Sequence, residues 1–216
     1  MSAGKRALIL AGKVAQEDLP HLPSLGQGRE VLVLARAWEM AHQCGCVPDR
    51  LVGPVDHVPS HIWREWRQRG AQHLPTYQDA AFASLEVALN YAITTGAKDI
   101  LLLGLLEGTL AEGLGRLLLI ARPEWAAARV SFLHRGEMGY ILRHGEGVRI
   151  QGQGRRVGLL ALSSRVTGLI TQGLAPALHH AQLDFGHMQW LTSVEDVGHV
   201  WLGGGLALVL VVTIND

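Results

Sequence analysis

Charge of either sign is not in excess: 19 Lys and Arg balance 19 Asp and Glu, so the formal net charge is zero with the 11 histidines neutral. Without a positive surplus, a basic run or aromatic residues interleaved with basic ones, the chain has little with which to capture nucleic acid or an anionic membrane. Cysteine is scarce. Only Cys44 and Cys46 occur, too few for a metal cage and too close together for an ordinary structural disulfide. They read as small fillers at a helix end, and their number fits a reducing cytoplasm. Long apolar runs are missing as well. Leu206 to Ile214 is about half the length of a membrane-spanning helix, and Ala7 to Ala11 is shorter than the apolar region of a secretion signal. These absences predict a cytoplasmic protein with neither a nucleic-acid nor a membrane partner.

What is present is a chain of 216 residues with 48% apolar content, enough for one large domain or two small ones. The first half alternates short apolar runs with helical patterns. Strands are expected at Ala7–Ala11, Glu30–Ala35, Leu51–Val52, Gln72–Pro75, Asp99–Leu103 and Arg129–Leu133. Helices are expected at Ala37–Gly45, His61–Gly70, Ala80–Thr95 and Leu110–Ala121. Repeated strand–helix units predict a Rossmann-like parallel sheet with flanking helices. From Gly136 onward the helical period fades. Short alternating runs are split by glycines at intervals of about ten residues, the pattern of an all-β sandwich. The chain thus reads as an α/β domain over 1–128 followed by a β-sandwich domain over 129–216.

Leu51-Val52 runs into Gly53-Pro54, and a carboxylate follows at Asp56. The end of a parallel strand is where polar side chains reach a ligand crevice. Gly53, Gly104 and Gly108 lie at such ends and could bring backbone close to a phosphate, although glycines there more often make tight turns. Asp79, Glu107 and Glu112 sit near helix starts, where capping and pairing with the helix dipole explain them. His57 reads as a solvated loop residue. His179-His180 would point to opposite faces of a strand. Trp63, Trp66, Trp125, Trp190 and Trp201 read mostly as core or interface groups.

In this order the strings resemble the thiamine pyrophosphokinase family over nearly the whole chain. The glycine pair ending the family's first strand appears as Ala11-Gly12-Lys13. Its Ala-Asp-Gly-Gly-Ala becomes Ala35-Arg36-Ala37-Trp38-Glu39, while the Pro-Asp pair is intact as Pro48-Asp49. Gly-Asp-Phe-Asp-Ser becomes Gly53-Pro54-Val55-Asp56-His57, keeping the second aspartate. Lys-Asp-x-Thr-Asp aligns with Ala80-Ala81-Phe82-Ala83-Ser84, and Gly-Ala-Leu-Gly-Gly-Arg-Leu-Asp-His with the stretch from Gly104 to Glu112. In the second half Val166 to Leu174 matches the strand and turn before the thiamine-facing segment, and Ser193-Val194-Glu195 matches Ser-Asn-Glu.

The resemblance implies transfer of a pyrophosphoryl group from ATP to thiamine with Mg²⁺, in a homodimer. It implies Asp56 as the retained catalytic and metal-binding acid, Gly12, Arg36, Gly53, Gly104 and Gly108 around nucleotide phosphates, and Ser193 and Glu195 toward thiamine. Phosphoryl transfer requires Mg²⁺ held by hard oxygen ligands, and a single carboxylate holds a hydrated Mg²⁺ only loosely. Arg36 puts a cation where a divalent metal would sit, yet a guanidinium grips a phosphate bidentately. The expectation is a family-like protein that has lost the Mg²⁺-dependent chemistry and keeps a thiamine-like or nucleotide ligand. An active enzyme with relocated metal ligands and a non-catalytic dimeric scaffold are the alternatives.

Overall fold

The computed structural model describes residues 4–76 and 81–212. It divides into two compact units, Met1–Arg135 and Gly136–Asp216. Asp79 and the last two residues of the Leu206–Ile214 run lie outside the described residues.

The first unit is built on parallel strands β1 (Lys5–Leu10), β2 (Glu30–Leu34), β3 (Arg50–Val52), β4 (Gln72–Leu74), β5 (Ala97–Leu103) and β6 (Arg129–His134). Their order in the sheet is β6-β5-β1-β2-β3-β4, and every pairing is parallel. Such strands are covered on both faces, so they read as unbroken apolar runs; Ala7 to Leu10 and Ile100 to Leu103 are buried accordingly. The strand expected at Arg129–Leu133 as the last of the first half, which the boundary drawn after residue 128 leaves outside it, pairs in parallel with β5. The order runs outward from β1 to β4 and then returns to β5 on β1's other side. That reversal between β1 and β5 is where open sheets of this kind leave a crevice at their carboxyl ends.

The helices are α1 (Leu22–Gly26), α2 (Trp38–Gln43), α3 (Ser60–Gln68), α4 (Ala81–Thr94) and α5 (Leu110–Ile120). In α3, Ile62 and Trp66 are one turn apart and both buried, which fixes its inner face. α4 packs on β2, β3 and β5 through Leu85, Ala88, Leu89 and Ala92. α5 starts with a reciprocal cap: Thr109 Oγ1 accepts the Glu112 N–H (3.3 Å) and Glu112 Oε2 accepts the Thr109 N–H (3.0 Å), which satisfies two otherwise orphaned donors. No helix among the described residues is long and apolar enough to cross a membrane.

The sequence does not announce the turns at Gln16–His21 and α1, which carry two prolines and no helical period. They are held instead by buried Leu22 and by Asp18, whose Oδ2 accepts the Arg135 N–H at 2.8 Å.

The second unit contains β7 (Glu137–Arg143), β8 (Gly147–Gln151), β9 (Arg156–Ala161), β10 (Arg165–Gln172), β11 (Leu174–Ala175), β12 (Ala181–Asp184), β13 (Met188–Ser193), β14 (Val197–Trp201) and β15 (Leu206–Val212). One antiparallel array runs β11-β13-β9-β15-β7 and a second sheet runs β12-β10-β14-β8. A single buried cluster draws on both, with Val157, Leu159 and Val209 from the first and Ile150, Val166, Leu169 and Val200 from the second. The sequence pattern misses β13, because only Leu191 and Ser193 of its six residues are buried.

Candidate ligand crevice

At the β1/β5 reversal the two strand ends meet backbone to backbone. The Ala11 N–H donates to Leu103 O at 2.8 Å. A Cβ on Gly104, which sits at φ +69°, would lie 2.5 Å from Gly12 O and 2.6 Å from Gly12 C. One on Gly12 would lie 2.8 Å from Gly104 O. The mutual approach of the two chains by itself demands glycine at both positions. Gly53, after β3, is overlain by Ser84 of α4, whose Oγ would be 2.9 Å from an added Cβ, and its carbonyl accepts from His73 Nε2 at 2.7 Å. Gly108 packs against the Glu112 carboxylate in the loop before α5.

Arg36 leaves the end of β2 in a single 3₁₀ turn, Ala35–Ala37. It lines a cavity of about 460 Å³ with Lys13, Gln16, Glu39, Met40 and Gln43. Its charge also reaches the start of α5. The Glu112 carboxyl is held below the ordinary glutamate range by the Thr109 N–H first, then the Thr109 hydroxyl, with Arg116 and Arg36 adding to the effect. The proton affinity of Arg116 is lowered, chiefly by burial and then by Arg36, with Glu112 opposing both.

Asp56 is placed elsewhere. It is exposed, in the turn Val55–His57, and lines a different cavity of about 610 Å³ with Ser60, Trp63, Arg64 and Arg67. Of the positions where the resemblance leads one to expect charged groups, five hold Arg36, Pro54, Ser84, Thr109 and Ala111, while Asp56 and Glu112 carry carboxylates. Among the described residues no group of three His, Cys, Asp or Glu could hold a metal ion. Beside Arg36 and Lys13 the cavity offers a single carboxylate among the described residues, Glu39, a set that does not fit Mg²⁺.

In the second unit, Ser193 is only 1% exposed. Its hydroxyl donates to Gly152 O at 2.7 Å and accepts the Arg155 N–H at 2.8 Å, so its hydrogen-bonding capacity goes into holding a turn. Glu195 is exposed, with Oε2 3.3 Å from where a Cβ on Gly173 would stand.

Of the residues expected from sequence, the structure brings Gly12 to Gly104 and Gly108 to Glu112, and places Arg36 within electrostatic reach of α5. Sequence reasoning passed over Lys13 and Arg116. Lys13 directly follows the Gly12 strand end. Arg116 interrupts an otherwise leucine-rich helix four residues after Glu112, and a lone charge in such a run is the signal that could have found it.

No family model and no curated protein sequence matches this chain. Solved structures do match, over almost its whole length. Thiamin pyrophosphokinase from Geobacillus thermodenitrificans superposes with a TM-score of 0.80 at 18% identity, covering 98% of this chain and 99% of that one. The Bacillus subtilis enzyme gives 0.81 at 14% identity over 98% and 100%, and the Candida albicans enzyme 0.69 at 14% over 97% and 90%. At such identities the likeness concerns the path of the backbone, and function has to be argued from the site. The chain has the fold of the thiamin pyrophosphokinases.

Proposed function

We propose that this protein is a thiamine pyrophosphokinase-like protein that has lost Mg²⁺-dependent pyrophosphoryl transfer and binds an anionic ligand directly, through cationic side chains at the strand ends. The ligand class is nucleotide or thiamine-phosphate-like. The observation that carries this reading is Arg36, which stands where the resemblance places a family acid and lines a cavity shared with Lys13, where Glu39 is the one carboxylate among the described residues. Guanidinium and ammonium groups attract phosphate oxygens and repel a divalent cation. The solitary Asp56 opens onto a cavity it shares with Arg64 and Arg67, surroundings equally unsuited to a divalent ion. The same reading takes the protein as a cytoplasmic homodimer with a Rossmann-like domain over 1–128 and a β-sandwich domain over 129–216. Ser193 and Glu195 are then the residues nearest in sequence to a thiamine site.

The test is an assay of AMP formation from ATP and thiamine with Mg²⁺ by the purified protein, paired with calorimetric titration of ATP. The expected result is no turnover above the protein-free rate and ATP binding that does not need Mg²⁺. Turnover, or micromolar ATP binding that appears only with Mg²⁺, restores the active-enzyme reading.

A further inference from the structure

Arg116 is the most unusual group in the first unit. Its residue exposure is 1%, yet it lies on α5 with three of its five guanidinium N–H donors idle. Nη1 donates to Leu105 O at 3.0 Å and Glu107 O at 2.6 Å, both in the loop that leads into α5. Nε and Nη2 have no hydrogen-bond partner among the described residues. Buried N–H groups of a charged side chain are rarely left so, because desolvation without a partner costs free energy. The nearby carboxylate does not cure this: Glu112 Oε1 stands 3.7 Å from Nη2, beyond hydrogen-bond length. Glu112 Oε2 is already engaged, with the Thr109 N–H at 3.0 Å and the Thr109 hydroxyl at 3.2 Å. One carboxylate therefore serves a helix cap and stands opposite Arg116, while the charge of Arg36 is felt at both Glu112 and Arg116. α5 is 11 residues long, and its N-terminus, where Thr109 and Glu112 stand, is the positive end of its dipole.

We propose that Arg116 and Arg36, with the N-terminus of α5, form a metal-independent subsite for a phosphate or pyrophosphate group, and that Glu112 occupies this subsite when no ligand is bound. The inference rests on the reading that the crevice takes an anionic ligand, and names the residues that neutralise its charge. The incoming oxygens accept from Nε and Nη2 of Arg116 and from Arg36. Glu112, whose side chain is 38% exposed, swings outward to make room. Ligand and carboxylate compete for the same cations, so removing the negative charge at 112 helps the ligand. Glutamine preserves the capping pattern, so Glu112→Gln keeps the helix start.

The experiment is calorimetry of the full chain with inorganic pyrophosphate, in EDTA and in Mg²⁺, with thermal melts to confirm folding. Affinity in EDTA is expected to equal or exceed that in Mg²⁺. Arg116→Gln and Arg36→Gln should each weaken it at least tenfold, Arg116→Lys less, and Glu112→Gln should tighten it several-fold. A strict Mg²⁺ requirement overturns the proposal. So does a folded Arg116→Gln protein that binds like wild type, or a folded Glu112→Gln protein that binds more weakly. Should Arg116→Gln not fold, the Arg36→Gln and Glu112→Gln titrations decide. ATP binding that persists in EDTA while pyrophosphate fails to bind removes this subsite and leaves the anionic-ligand reading standing; failure of both ligands removes both.

Discussion

Replacing Gly104 by alanine separates two demands on that position. One is conformational: at φ +69° an L-residue pays a left-handed penalty of about 1–2 kcal/mol. The other is contact, because the new Cβ would lie 2.6 Å from the carbonyl carbon of Gly12 and 2.9 Å from its amide nitrogen. Ordinary carbon contacts begin near about 3.5 Å, so the ends of β1 and β5 have to separate by close to an ångström. That separation strains the Ala11 N–H to Leu103 O bond (2.8 Å), one hydrogen bond of about 1 kcal/mol net, and loosens the packing around it. The sum is about 3 kcal/mol. Gly45 is the internal control. It sits at φ +64° with nothing within 4 Å of an added Cβ, so Gly45→Ala should lose only the conformational part, about 1 kcal/mol. Urea unfolding of both variants, compared at equal m-value, measures the difference. If Gly104→Ala is no more destabilising than Gly45→Ala, the backbone contact is not what requires glycine there.

Three further outcomes follow from particular contacts. Asp49 Oδ2 accepts the Val31 N–H at 2.7 Å while its own N–H donates to Val31 O at 2.8 Å, joining β2 to the start of β3; Asp49→Ala should lower stability by about 1–3 kcal/mol, readable in a urea titration, with Asp49→Asn milder. Ser193→Ala removes the shared partner of Gly152 O and the Arg155 N–H in a buried position, and should cost about 1–3 kcal/mol with little effect on pyrophosphate binding. Burial first, then the neighbouring Cys44 and Asp49 charges, push the Cys46 thiol up to about 11. Its alkylation at pH 8 should accordingly run about 100-fold slower than that of a thiol at 9, because only the thiolate reacts. For stability the sign is fixed: the proton is held more tightly in the folded state, so the contribution is intact below pH 9 and is lost as the pH rises toward 11, seen as a falling melting temperature that Cys46→Ser removes.

The parts of the fold legible in the sequence are those where one force dominates. β1 from Ala7 and β5 from Ile100 are apolar without interruption because a parallel sheet is covered on both faces, and α5 declares its start through Thr109 and Glu112, the two halves of a cap. Where opposing signals meet, the pattern misleads. β13 shows solvent most of its side chains, including Gln189 and Thr192, so its alternation is drowned in polarity. The site is less legible than the fold for a related reason. A motif fixes the strand end on which Asp56 and Arg36 stand, but whether two strand ends open onto one cavity depends on loops, and these two line different ones. Arg116 escaped because a charged residue in a leucine-rich helix is normally assigned to the solvated face, whereas this one points inward.

A crevice cannot serve a divalent cation and a bare phosphate with the same charge set. Among the described residues the cavity beside β2 holds two cations, Lys13 and Arg36, against one carboxylate, Glu39, and at the start of α5 Arg116 stands opposite Glu112. A doubly charged ion about 4 Å from one guanidinium is repelled by about 8 kcal/mol at an effective dielectric constant of about 20. One carboxylate at the same distance only cancels that, with nothing left to offset stripping the ion of water. A phosphate in the same place reverses every sign, gaining from each cation and losing only to the carboxylates. An arginine at position 36 rather than an acid therefore decides what the site can hold with the backbone unchanged, and Arg116, buried with idle donors on α5, is the second cation that the proposed phosphate subsite would use.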